Sequence, residues 1–102
     1  MAASTSGSDD RVSNQCGIAT SHAYSIITVF NMTDEDGTYQ MALMRNPWNI
    51  NKYNFTWSRF DKNWTLNLLR QVPFGFNPIM DMGKSGLFVV PMEAFKNEYC
   101  FD

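Results

Sequence analysis

A chain of 102 residues, 44% hydrophobic and 15% aromatic, holds enough apolar material for one compact core and no more. Eight Lys and Arg against ten Asp and Glu leave a net charge of −2, and the basic residues form no cluster, which excludes a nucleic-acid footprint and a polybasic membrane-binding surface. No segment reaches the roughly 20 apolar residues of a transmembrane helix, and residues 1–10 carry neither the basic nor the apolar run of a signal peptide, so the sequence predicts an intracellular, cytoplasmic protein.

Residues 1–15 are polar and are expected to form a flexible lead, followed by one folded unit over 16–102 without internal repeats. In a reducing compartment Cys16 and Cys100 are expected as free thiols. The three glycosylation sequons, Asn31-Met32-Thr33, Asn54-Phe55-Thr56 and Asn63-Trp64-Thr65, then carry nothing.

Residues 24–32 are rich in β-branched and aromatic types and apolar on both faces, which predicts a buried central strand. Residues 33–37, Thr-Asp-Glu-Asp-Gly, form a turn; a metal loop built from Asp34, Glu35 and Asp36 is the weaker reading of the same acids. Over 38–45 Tyr39, Met41 and Leu43 alternate with Gln40, Ala42 and Met44, so 24–45 is expected to be an antiparallel hairpin.

Pro47 cannot donate to a ladder and ends the second strand. From 49 to 63 polar residues are interspersed with aromatics too irregularly for a helix or strand, which predicts a long ordered loop pinned by Tyr53, Phe55, Trp57, Phe60 and Trp64. Lys52, Arg59 and Lys62 are too few to make it a nucleic-acid groove. Residues 65–72 suit either a strand or a helical turn, 86–91 a β-rich run, and 92–98 a short helix. These elements imply an α+β, barrel-like unit dominated by antiparallel strands.

The hairpin gives two polar residues a shared location. His22 lies just before its first strand and Asn46 just after its second, so antiparallel pairing brings both to the open end, within reach of cross-strand neighbours. A histidine oriented by a side-chain amide is the base of a thiol acyl-transfer site: the imidazole takes the proton of a cysteine and the amide oxygen fixes its tautomer and plane. Taken alone, a sole histidine and an Asn-Pro step are more often structural.

The flanking sequence is more specific. Ser21-His22-Ala23-Tyr24-Ser25, Arg45-Asn46-Pro47-Trp48, Trp57-Ser58-Arg59, Trp64 and the run from Ser85 through Gly86, Phe88 and Met92 to Phe95 follow in order. In residue type and spacing this series resembles the second half of the calpain-family, papain-like cysteine protease domain, from Gly17 almost to the C-terminus. The resemblance implies an antiparallel β-rich subdomain of a papain-like fold, with peptide hydrolysis as the family activity. It casts His22 as general base and Asn46 as its orienter. Trp48, by type a core aromatic, would cover their hydrogen bond from water.

The same resemblance implies that the nucleophile is absent. The family places its cysteine far upstream, at a helix start in the other subdomain, and no Gln-x-x-x-x-x-Cys-Trp element occurs here, so Cys16 is not expected to serve and Cys100 suits core packing. Calcium-dependent members carry acidic ligands at positions that correspond here to Lys52, Arg59, Lys84, Ser85 and Leu87, which implies that this calcium site is not retained and that no cofactor is bound. Ser21 and Asn49 replace glycines beside the histidine and the tryptophan.

Two functions stay open. One is a cysteine endopeptidase half-domain completed by a Cys-bearing subdomain of the same gene product or of a separate chain. The other is a catalytically inactive module serving as a structural or interaction component of a larger assembly.

Overall fold

A computed structural model describes residues 2–4, 15–18, 23–46, 53–59, 61–81, 86–98 and 100–101. Four strands, β1 (Ala2–Ser4), β2 (Ala23–Asp34), β3 (Gly37–Arg45) and β4 (Leu87–Pro91), form one antiparallel sheet in the order β1-β2-β3-β4. A single-turn helix, α1 (Leu66–Leu69), and two 3-10 segments, Pro73–Gly75 and Met92–Glu98, complete the elements. Among the described residues β1 and β4 do not pair, so the sheet is open rather than closed into the expected barrel. No described helix is long and apolar enough to cross a membrane.

The predicted hairpin is β2 and β3. It is longer than the hydrophobic pattern indicated, because Asp34 pairs with Gly37 and leaves only Glu35 and Asp36 in the turn. Asp34 Oδ1 accepts the Asp36 N–H at 2.8 Å, a local bond that lets an acidic turn close tightly. Gly37 takes a positive φ of 138°, where a side chain would strain the backbone.

One irregularity decides where the core lies. Ile26 stands opposite Met44 but Thr28 opposite Leu43, so Ile27 is the extra residue of a β-bulge. Directly paired side chains share a face. Before the bulge, Tyr24 and Ile26 lie with Met44 and Phe88; after it, Thr28, Phe30 and Met32 lie with Leu43, Met41 and Val89 on the opposite face. The bulge thus divides one apolar stripe between the two faces of the sheet.

The strand buried on both faces is β3, with Met41, Ala42, Leu43 and Met44 all in the core, and not β2 as its composition suggested. In β2, Ile27 is 44% and Val29 55% exposed. The reason is topological. β4 flanks β3 over 41–45, whereas β1 reaches only residues 23–25 of β2. Farther along β2 a side chain substitutes for a strand: Gln71 accepts the Thr33 N–H and donates to the Thr33 carbonyl, each at 2.8 Å.

The N-terminal lead also departs from expectation, since Ala2, Ala3 and Ser4 pair with Ser25, Tyr24 and Ala23. Small residues of low β-propensity gave no strand signal, yet they pair with the edge of β2.

The ambiguous 65–72 segment holds a single helical turn, α1, followed by a turn over 70–72. Thr65 caps α1, its hydroxyl accepting the Leu68 N–H, and Leu68 is its buried residue. The loop before it is pinned as predicted over its described part: Trp57 stands between Tyr39 and Trp64, at ring distances of 5.2 and 4.9 Å. Trp64 Nε1 donates to the carbonyls of Trp57 and Ser58, both at 3.1 Å. The Asp61 carboxylate accepts the N–H groups of Trp57 and Asn63 at 2.6 and 2.9 Å, which holds Trp57 at a positive φ of 66°.

Candidate functional site

At the open end of the hairpin Arg45 closes β3, paired with Ser25 on one side and Leu87 on the other. The ladder runs one residue further, since the Asn46 N–H donates to the Gly86 carbonyl at 2.9 Å. Asn46 is 6% exposed and is the one buried polar residue among those described. Burying a side-chain amide costs a few kcal/mol unless its bonds are replaced, so an asparagine needed only as a turn former would sit in water.

The sheet face it shares carries aromatic pairs. Strand alternation carries Asn46 to the face of Met44 and Phe88, where Tyr24 packs edge-on against Phe88 and Phe101 at 6.1 and 5.7 Å and Tyr53 lies 5.3 Å from Phe88. Burial pushes the Tyr53 phenol far above its ordinary pKa, and the negative charges of Asp61 and Glu93 add to the shift. Groups that need a dry setting to hold a hydrogen bond are well placed beside such a wall.

His22 immediately precedes Ala23, the first residue of β2. Its side chain and Trp48 lie outside the described residues. The last pair at the base of the hairpin is Ser25 with Arg45.

The cysteines are not free thiols. Cys16 and Cys100 form a disulfide across 84 residues, with a Cα separation of 5.7 Å. Both are buried, at 0% and 2% exposure, and no cysteine in the chain is left free. The expectation of reduced thiols rested on compartment, and nothing in the sequence alone signalled that the two ends of the unit meet. Cys16 as a thiolate nucleophile is thereby removed.

Of the positions that correspond to acidic calcium ligands, two are described. Arg59 Nε donates to the Ile79 carbonyl at 2.8 Å, and Leu87 opens β4. Neither of these two side chains carries an oxygen donor. Lys52, Lys84 and Ser85 lie outside the described residues.

The acids at the hairpin turn belong to a different place. Asp34, Glu35 and Asp36 line a cleft of about 460 Å³ with Tyr39, Trp57 and Glu93, at the far end of the hairpin from Asn46. Partial burial raises the Tyr39 phenol's pKa, helped by the charges of Asp34, Asp36 and Glu35.

Sequence reasoning missed Asp61, which organises the Trp57 turn. The Asp61-Lys62-Asn63 step, in which an aspartate accepts the N–H two residues on, was the available signal.

Comparison with known proteins adds family. Residues 1–99 match the model of the calpain family cysteine proteases. Two relatives are each 34% identical over 99 residues: calpain-type cysteine protease ADL1 of Oryza sativa subsp. japonica and calpain-type cysteine protease DEK1 of Arabidopsis thaliana. Both alignments cover 93% of this chain but only 4% of the relative's length. The match from residue 1 accords with the first strand at Ala2–Ser4.

Proposed function

The chain belongs to the calpain family of cysteine proteases, and from that premise we propose that it is the His/Asn-bearing half of a cysteine endopeptidase whose nucleophile resides elsewhere. The observation that carries this reading is Asn46, a polar side chain buried at the base of a hairpin whose register ends at Ser25 and Arg45. The engagement of both cysteines with each other supports placing the nucleophile outside this chain.

His22 takes the proton from the cysteine Sγ, and the thiolate attacks the peptide carbonyl. Collapse of the tetrahedral adduct gives a thioester on Sγ, and the amine leaves with the proton that His22 returns. Water, deprotonated by His22, then cleaves the thioester and regenerates the thiol. Asn46 accepts from the imidazole N–H and holds the tautomer whose other nitrogen faces sulfur. Trp48 shields that bond. No step runs through calcium.

A second reading, an inactive module retained for its shape, is favoured by the lack of a free thiol. The test is proteolysis by the protein isolated with its native partners. His22→Ala is expected to abolish cleavage, and Asn46→Ala to lower kcat with an intact assembly. Undiminished cleavage in the His22 variant would overturn the catalytic reading. An intact native assembly without any cleavage would support the module.

A further inference from the structure

We propose that a groove running from the hairpin turn past Tyr39 to Met92 is a docking surface for an extended segment of a partner protein, in which Lys or Arg residues adjoin apolar side chains. The groove consists of three hollows in continuity. The cleft at the turn, of about 460 Å³, shares Tyr39, Trp57 and Glu93 with a second hollow of about 350 Å³ along β3. The second shares Gln40, Met41 and Met92 with a third of about 340 Å³, which reaches Val29 and Phe30 of β2.

Each end selects its own chemistry. Asp34, Glu35, Asp36 and Glu93 line the cleft at the turn, and Lys62 is the only cation among its described lining residues. None of these five is in an ion pair among the described residues. Carboxylates without counter-ions at the mouth of a cleft attract ammonium and guanidinium groups, and the half-buried rings of Tyr39 and Phe55 offer them aromatic faces. Burial first, and then the charges of Asp34, Asp36 and Glu35, push the Tyr39 phenol above its ordinary pKa, as a concentrated negative field would. At the other end the wall is apolar, with Val29 55% exposed and Phe30 and Met92 half-buried.

The acids alone would mark a solvated turn. Here they close one end of a groove whose other end is apolar, and the separation sets the length of the occupant. From Asp34 to Val29 the strand spans about 17 Å, the reach of about five extended residues. A second copy of this chain does not fit, because its own Lys and Arg residues form no run and its net charge of −2 repels its like. The surface also lies apart from the candidate site, since extended backbone from Tyr39 to Asn46 covers about 23 Å.

The experiment is fluorescence anisotropy on the full chain with two labelled peptides, Ala-Leu-Ala-Leu with three arginines either before or after it, at about 50 mM salt. At least one is expected to bind saturably, and its counterpart with glutamates in place of arginines is not. Glu35→Gln with Asp36→Asn, both exposed in the turn, should weaken binding about five-fold, and Val29→Ser about three-fold. The same loss of charge at Asp9 and Asp10 should leave it unchanged. Failure of both peptides to saturate overturns the proposal. Equal weakening by the Asp9 and Asp10 pair overturns it too, as it would show attraction to net charge alone, and so does indifference to Val29→Ser. Stoichiometric displacement of the peptide by calcium chloride would make the cleft a cation site and overturn it equally. The readout needs no peptide cleavage, so it succeeds or fails apart from the proteolytic reading.

Discussion

Breaking the Cys16–Cys100 bond is the perturbation whose size follows most directly from the structure. The bond closes a loop with a sequence separation of 84 residues. Chain entropy for such a loop gives about 15 cal/mol/K, or about 4.5 kcal/mol at 25 °C, inside the range of about 2–5 kcal/mol for native disulfides. A loss of that size lowers the midpoint of a domain this small by about 20–30 °C. Cys16→Ala, Cys100→Ala and the double variant should fall together, because either substitution removes the same bond. Thermal unfolding followed by tryptophan fluorescence is a suitable assay, since Trp57 and Trp64 are buried against each other. Reduced wild-type protein should unfold with the variants. Small single effects that add in the double variant would show two cysteines packing independently, and would refute the bond as a constraint on the fold.

Asp61→Ala removes the acceptor of the Trp57 and Asn63 N–H groups, and should cost about 2–3 kcal/mol in urea unfolding. Tyr53→Phe removes the bond from the phenol to the Thr56 carbonyl and should cost about 1 kcal/mol near neutral pH. Because the folded phenol's pKa is raised, its contribution is intact below the unfolded value of about 10 and drains as pH climbs beyond it, so the gap between wild type and variant should narrow in alkaline urea titrations. Gly37→Ala should cost about 1–3 kcal/mol, entirely from backbone strain, since a β-carbon there would meet no atom within 4 Å; an unchanged midpoint would contradict the positive φ.

The hairpin was legible because a period of two and an Asp-Gly turn act locally. The bulge at Ile27 was not, since the stripe of Tyr24, Ile26, Phe30 and Met32 fits an unbroken strand equally well. The strand at Ala2–Ser4 was hidden because its pairing uses backbone groups and its side chains are small. Gln71 serving the edge of β2 at Thr33 depends on a contact 38 residues away that no local pattern encodes. Of the candidate site, the position of Asn46 just after β3 was legible, and its burial is what sequence alone could not supply. His22 and Trp48 rest on the resemblance alone and lie outside the described residues. The disulfide was lost to an inference about compartment, although both cysteines stood in view.

The most direct test of the central claim is the native size and company of the protein. An antibody to residues 33–39, at the exposed hairpin turn, can capture it from its own cells. The account predicts that the epitope sits on, or travels with, a polypeptide bearing a cysteine that a thiol-directed probe labels and that His22→Ala leaves unreactive. A species near 11.7 kDa with no such cysteine in its company would contradict it.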